Sequence, residues 1–299
     1  MPLRVIAAYI AMIAIWGTTW SAIKVGVTDV PPFLFAFERA IAVAGILTIV
    51  ALAFRLPFPR SPRVLLAAGV AGAFNSGLSW AVIFWAEQFV PSGLVAVFGS
   101  AAPVWTAFLA HFLVRGDRLS WLKVGALAVG IVGTAVLVGS PASLGDRNTV
   151  VALALLALMP VTWSVAAIIA TRWLSAESPV PVIAVEVWAG AAVLVPFALS
   201  QAGEPASWTE SVVAAFAFLV VFGSCVGLVL NLWLYRTLRP TTIMLSQVLI
   251  PVQAVLIGAL FLGESLTATM VVGAALVFGA VGLNAFAGGA SSAAGVGAD

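Results

Sequence analysis

The sequence predicts an all-α integral membrane protein in which ten transmembrane helices form two inverted five-helix repeats. Three observations carry that prediction. Of 299 residues, 63% are hydrophobic and 8% charged, with a mean hydropathy of +1.18, whereas soluble domains are roughly 25% charged. Charged or Pro/Gly-rich breaks divide the chain into ten apolar segments, each near the roughly 20 residues that a bilayer core requires. The second half also repeats landmarks of the first. Thr-Trp-Ser occurs at 19–21 and again at 162–164, and Pro31, Glu38, Trp85 and Pro103 return as Pro179, Glu186, Trp233 and Pro251, each 148 positions on.

Five helices per copy is an odd number, so the second copy enters the membrane from the opposite side. The halves are then related by a two-fold axis in the membrane plane, as in many secondary transporters. The repeats are expected at 1–140 and 141–287. A disordered tail is expected at 288–299, where "GGASSAAGVGAD" holds no large apolar residue except Val296.

The spans are expected at 4–27, 32–54, 64–86, 91–114, 119–139, 149–174, 179–200, 210–236, 240–262 and 266–287. The first is too long for a signal-peptide core. It carries Trp20, and Lys24 near its outer end, where the ammonium either snorkels to the headgroups or meets a substrate carboxylate. The second carries Glu38 and Arg39. An ionisable group inside a membrane is costly enough to face a cavity or a partner. Adjacent helix positions do not face each other, so Arg39 is expected to find a partner on a neighbouring helix, or to meet a substrate carboxylate. The third carries Asn75, Ser76, Ser79 and Trp80, which pair at four-residue spacing and are expected to crowd one side. The fourth is interrupted by Pro103, which removes one helical hydrogen bond and frees the carbonyl four residues back.

The fifth reads as a close-packing helix with Gly130 at small-residue spacing, and the tenth, with Gly279, as its counterpart; a homodimer contact through these two helices is one expectation. The sixth carries Pro160, expected to kink it, and Trp163, deep in its helix and expected to line a cavity rather than a headgroup belt. The seventh carries Glu186, matching Glu38, and both are expected to gate or to couple protons. The eighth carries Ser224 and Asn231 on one stripe. The ninth carries Ser246, the kinking Pro251, and Gln253. Polar stripes on several helices point to a hydrated central cavity. The competing reading of each single residue is a helix-to-helix hydrogen bond.

Lys and Arg cluster on alternate loops. Arg4, Arg55, Arg60, Arg63, Arg115, Arg118, Lys123, Arg172, Arg236 and Arg239 fall on one side, against Arg147 on the other. By the positive-inside rule both termini are expected in the cytoplasm, the chain being a multi-pass protein of the cell (inner) membrane.

The stretches "IWGTTWSAIKVG" and "FERAIAVAGIL", the segment from "SGLVAVFGSAAPVW" through "RGDRLSWLKVGALAVGIVGTAVL", and its counterpart from "PTTIMLSQVLIPVQ" through "LGESLTATMVVGAALVFGAVGLNAF" resemble the drug/metabolite transporter superfamily, EamA branch. The likeness runs over about residues 5 to 287. It implies ten helices, a central cavity built mainly by the first, third, fourth, sixth, eighth and ninth, and export of small metabolites, amino acids or drugs. The first acidic turn reads Gly116-Asp117-Arg118, a departure from the family's Gly-Glu-Arg-like turn, and its counterpart carries Glu264.

Other functions fare worse. The chain has no HExxH, no GxSxG and no GxxxxGK[ST], so neither an enzyme nor direct ATP drive is indicated. A channel or lipid-moving protein is the alternative to a carrier, although interrupted helices favour a closed central site over a uniform pore. A lone histidine, His111, and a lone cysteine, Cys225, cannot make a metal site. No cofactor is expected. No basic patch calls for nucleic acid. The expected partners are a small-molecule substrate, with Trp20, Trp80 and Trp163 suited to an amphipathic or aromatic solute, and the lipid bilayer.

Overall fold

A computed structural model describes residues 2–113, 121–138, 146–237 and 240–295. Arg115, Asp117, Arg118, Arg239 and the last residues, 296–299, lie outside them. The described residues form ten apolar helices and no strand: α1 Leu3–Asp29, α2 Pro32–Ala53, α3 Pro62–Ala86, α4 Ser92–Leu113, α5 Trp121–Val138, α6 Arg147–Leu174, α7 Pro179–Ser200, α8 210–237, α9 Pro240–Phe261 and α10 Ala268–Gly295. Eight are long and apolar enough to cross a membrane, and α5 and α9 contribute shorter apolar stretches.

The starts follow local chemistry. Prolines open α2, α3 and α7, where the missing N–H costs nothing. Asp146 caps α6 by accepting a 3.0 Å hydrogen bond from the Thr149 amide, and Thr209 caps α8 by accepting from Val212. The last helix spans Ala268–Gly295, beyond its expected end at 287.

Three helices contain wider π turns: Ala73–Leu78 in α3, Ala170–Leu174 in α6 and Leu219–Val226 in α8. Those in α3 and α8 fall at matching places in the two repeats. Such turns insert a residue into the helical ladder and recur at functional sites. Within the turn of α8 the carbonyl of Gly223 accepts a 3.2 Å hydrogen bond from the Trp16 indole.

Helix contacts follow the repeat. The matching helices α2 and α7 pack on each other, as do α5 and α10, while α1 meets α8 and α9 in the way that α6 meets α3 and α4. Ala36, Ala40 and Ala44 of α2 and Ala184, Val187 and Ala191 of α7 are all buried, and small residues at a helix interface let backbones approach. Gly130 and Gly133 of α5 are taken up within the chain, against Ala280 and Leu276 of α10. The outside is apolar, with Ile49, Leu52, Leu66, Leu158, Leu199 and Val271 exposed as lipid contact requires. The bundle has a near side, at which α1 begins, and a far side, at which α1 ends.

Candidate functional site

The two Thr-Trp-Ser triplets meet at the centre of the bundle. The rings of Trp20 and Trp163 lie 6.2 Å apart at 46°, within the range of favourable aromatic pairs. In the second triplet the flanking hydroxyls hold α6 in place. Thr162 shares a 2.7 Å hydrogen bond with Ser79 of α3. Ser164 donates to the carbonyl of Ala102 on α4 and accepts from Thr106, both at 3.0 Å. In the first triplet the position matching Ser79 is Gly227 and that matching Thr106 is Ala254. Ser21 is accordingly buried with no hydrogen-bond partner among the described residues. Trp163 itself lies over Gly99, where an added Cβ would come within 2.9 Å of the ring. Just beyond, α4 breaks between Gly99 and Ala102, ahead of Pro103, as the loss of the proline's hydrogen bond demands.

On the near side of this pair lies a cavity of about 160 Å³, lined by Asn75, Trp163, Glu186 and four alanines, Ala71, Ala166, Ala167 and Ala170. The π turn of α3 carries Asn75. Glu186 is brought there by close packing of α7 on α3: a Cβ at Gly72 would stand 1.9 Å from the Glu186 carbonyl oxygen. The cavity therefore joins a carboxylate, an amide and an indole within small apolar walls, a set able to take an ammonium, a carboxylate or hydroxyl, and an apolar body together.

The matching place on the far side is filled. Repeat spacing puts Leu219, Ile23, Lys24 and Val27 where the four alanines stand, and Leu219, Ile23 and Val27 are buried. Arg39 closes the same region. The residue is 4% exposed, and its guanidinium donates to Ser224 Oγ from Nη2 at 3.0 Å and from Nε at 3.3 Å and lies 4.3 Å from the Trp80 ring centre. The partner expected on a neighbouring helix is thus a hydroxyl and an aromatic face.

Lys24 is also engaged. Its ammonium donates to the carbonyls of Glu87 and, at 3.2 Å, Val90, where a cation suits the C-terminal end of α3. Nearby, Glu264 accepts from the Ser92 amide at 2.7 Å and from Gly93 at 3.4 Å, capping α4.

Other predicted residues are placed apart from the cavity. Gln253 donates to the Ala14 carbonyl at 3.1 Å, its side chain seated over Gly17, and so fastens α9 to α1. Ser79 is spent on Thr162 and on the Phe74 carbonyl. The third-helix group splits, with Asn75 and Ser79 toward α6, Ser76 against Gly190 of α7, and Trp80 under Arg39. The single crowded side expected of these four is corrected accordingly. Ser246 is buried beside Tyr9, which bonds its main chain. Asn231 and Glu38 are half-buried and do not line the cavity. Pro160 and Pro251 lie inside helices that continue through them. Sequence reasoning missed Glu87, fully buried although it follows the end of α3. The signal was there: "WAEQFVPSG" is a turn whose single charge sits among apolar residues.

Residues 3–139 and 150–286 each match the model of the EamA-like transporter family. The inner membrane transporter YedA of Escherichia coli (strain K12), itself uncharacterized, is 29% identical over 271 residues, covering 89% of this chain and 85% of its own. A "Probable amino-acid metabolite efflux pump" of Salmonella typhimurium is 28% identical over 293 residues, covering 92% of each chain. A solved crystal structure at 21% identity superposes with a TM-score of 0.63 over 94% of this chain and 96% of that one, so the two share a fold.

Proposed function

Because the chain belongs to the EamA-like transporter family, we propose that it is a secondary transporter that exports small amphipathic metabolites, amino acids with apolar or aromatic side chains first among them. The observation that carries this reading is the asymmetry between two matching places. One is a cavity with Asn75, Trp163 and Glu186 on its wall; the other is packed shut by Ile23, Val27, Leu219 and Arg39. Alternating access around a central site requires such a difference between two symmetric halves.

In this reading Glu186 receives the substrate ammonium, Asn75 donates to its carboxylate, and the Trp163 and Trp20 indoles take its apolar side chain. The near side is the cytoplasm, following the Lys/Arg bias of its loops. The amino-acid class is supported by the name of the Salmonella relative and by the match between a zwitterion and this donor set.

Counterflow tests the proposal. Proteoliposomes preloaded with L-phenylalanine, L-leucine or L-threonine are expected to take up the labelled form of at least one, saturably and without a pH gradient. Trp163→Ala and Glu186→Gln are expected to lower that exchange about tenfold or more in protein that inserts normally. Wild-type exchange in both variants would remove this site, and leakage that does not saturate would favour a channel.

A further inference from the structure

Glu87 is the residue that the transport site leaves unexplained. It is 0% exposed, and among the described residues neither carboxyl oxygen has a hydrogen-bond partner. Among the described residues the Ser92 hydroxyl, at the start of the next helix, is likewise buried and unpartnered. The charged groups that act on it are Lys24 of α1, Glu264 of the turn after α9, and Arg39 of α2. None of the three is hydrogen-bonded to its carboxyl group. Lys24 donates to the main-chain carbonyl of the same residue, Glu264 is occupied with the Ser92 and Gly93 amides, and Arg39 is held by Ser224. A carboxylate buried without a donor is among the costliest groups a protein can hold, and the usual remedy is a proton.

We propose that Glu87 is a proton-binding site whose occupancy is linked to closure of the far side, so that release of its proton accompanies opening of the α1–α3–α4 junction. With the junction closed the carboxyl group is neutral and Lys24 rests on the Glu87 and Val90 carbonyls. When the α3–α4 turn parts from α1, water enters and the O–H bond of the carboxyl breaks. The proton passes to far-side water, and the resulting carboxylate takes the Lys24 ammonium, whose stem already reaches this residue. Closing reverses each step and takes up one proton. The linkage has a definite sign: the open state binds one proton fewer, so raising the pH favours opening, by about tenfold per pH unit across the window in which the two states differ. The proposal rests on the reading that the far side opens in turn.

The test uses the full-length protein in lipid vesicles and two readouts that need no substrate. The first is the infrared carbonyl band of a neutral carboxyl group, expected in the wild type at neutral pH and lost in Glu87→Gln. The second is amide hydrogen exchange across 87–93, corrected for the intrinsic pH dependence of exchange. Protection is expected to fall about tenfold per pH unit in the wild type and to stay flat in Glu87→Gln, which copies the neutral side chain and is expected to fold. In Lys24→Met the infrared band is expected to persist to more alkaline pH, since the cation favouring ionisation is gone. A band unchanged in Glu87→Gln, or an equal slope of protection in both proteins, overturns the proposal. Counterflow of L-phenylalanine in the same vesicles keeps the two readings separate. Its absence in the wild type counts against the carrier, while the infrared and exchange results still decide Glu87.

Discussion

Replacing Ser224 by alanine removes the hydroxyl that accepts both guanidinium hydrogen bonds of Arg39, one at 3.0 Å and one at 3.3 Å, and leaves a charge that is 4% exposed without that acceptor. A hydrogen bond to a charged group contributes about 1.5–3 kcal/mol, and an orphaned buried donor costs a similar amount. The stack on Trp80 at 4.3 Å survives this change. Arg39→Met removes the charge together with its need for an acceptor, and keeps most of the stem that packs against the rings. Ser224→Ala is therefore expected to destabilise more than Arg39→Met, because an unpaired buried charge is worse than none. The double variant is expected to resemble Arg39→Met alone. A double-mutant cycle by equilibrium unfolding in mixed micelles, followed by tryptophan fluorescence, is expected to return a coupling of about 1.5–3 kcal/mol. Additive effects, with coupling under about 0.5 kcal/mol, would refute the view that Ser224 is what makes a buried Arg39 tolerable.

Two further substitutions test the geometry of the cavity. Ala166→Ile with Ala170→Val places the far-side residues into the near-side cavity, and is expected to cut counterflow about tenfold or more while thermal stability in detergent is retained. Gly72→Ala drives a methyl group into the Glu186 carbonyl, to which the Cβ would stand 1.9 Å. It is expected to cost about 1–3 kcal/mol in the same unfolding assay, and a neutral result would mean that α7 does not rest on that glycine.

The ten helices and their duplication were legible because both are written in hydropathy and in large, fixed landmarks. Tryptophans and prolines keep their spacing across the copies, and the meeting of Trp20 with Trp163 follows from a two-fold axis once the repeat is seen. Asn75 and Glu186 were legible as polar groups too costly to face lipid, and both reach the cavity. Which other polar groups would join them was not legible. Ser79, Ser224 and Gln253 sit on helical stripes like Asn75 but are consumed by Thr162, Arg39 and Ala14, and a stripe does not say which helix stands opposite. The π turns in α3 and α8 leave no mark in a 3.6-residue projection, although they carry Asn75 and Ser224. Glu87 escaped because a charge next to a helix end reads as solvated until the fold closes over it.

In the proposed carrier the two sides would close by different chemistry, and the rates of its cycle would differ accordingly. The far side is sealed by bulky side chains and by the Arg39–Ser224 contact. The near side is walled by alanines, so in the proposed cycle it would close by backbone approach, which would shut Glu186 away from water. Burying an ion without a partner costs several kcal/mol after relaxation. A bound ammonium offsets that cost, and an empty cavity does not. The loaded carrier is therefore expected to reorient faster than the empty one, so that counterflow of L-phenylalanine outpaces its net efflux under equal concentrations. A side chain that carries no charge removes the penalty: in Glu186→Gln both rates are expected to be low, but their ratio is expected to approach one. An unchanged ratio in that variant would place the slow step of the empty carrier elsewhere, with the far-side contacts of Arg39 the first place to look.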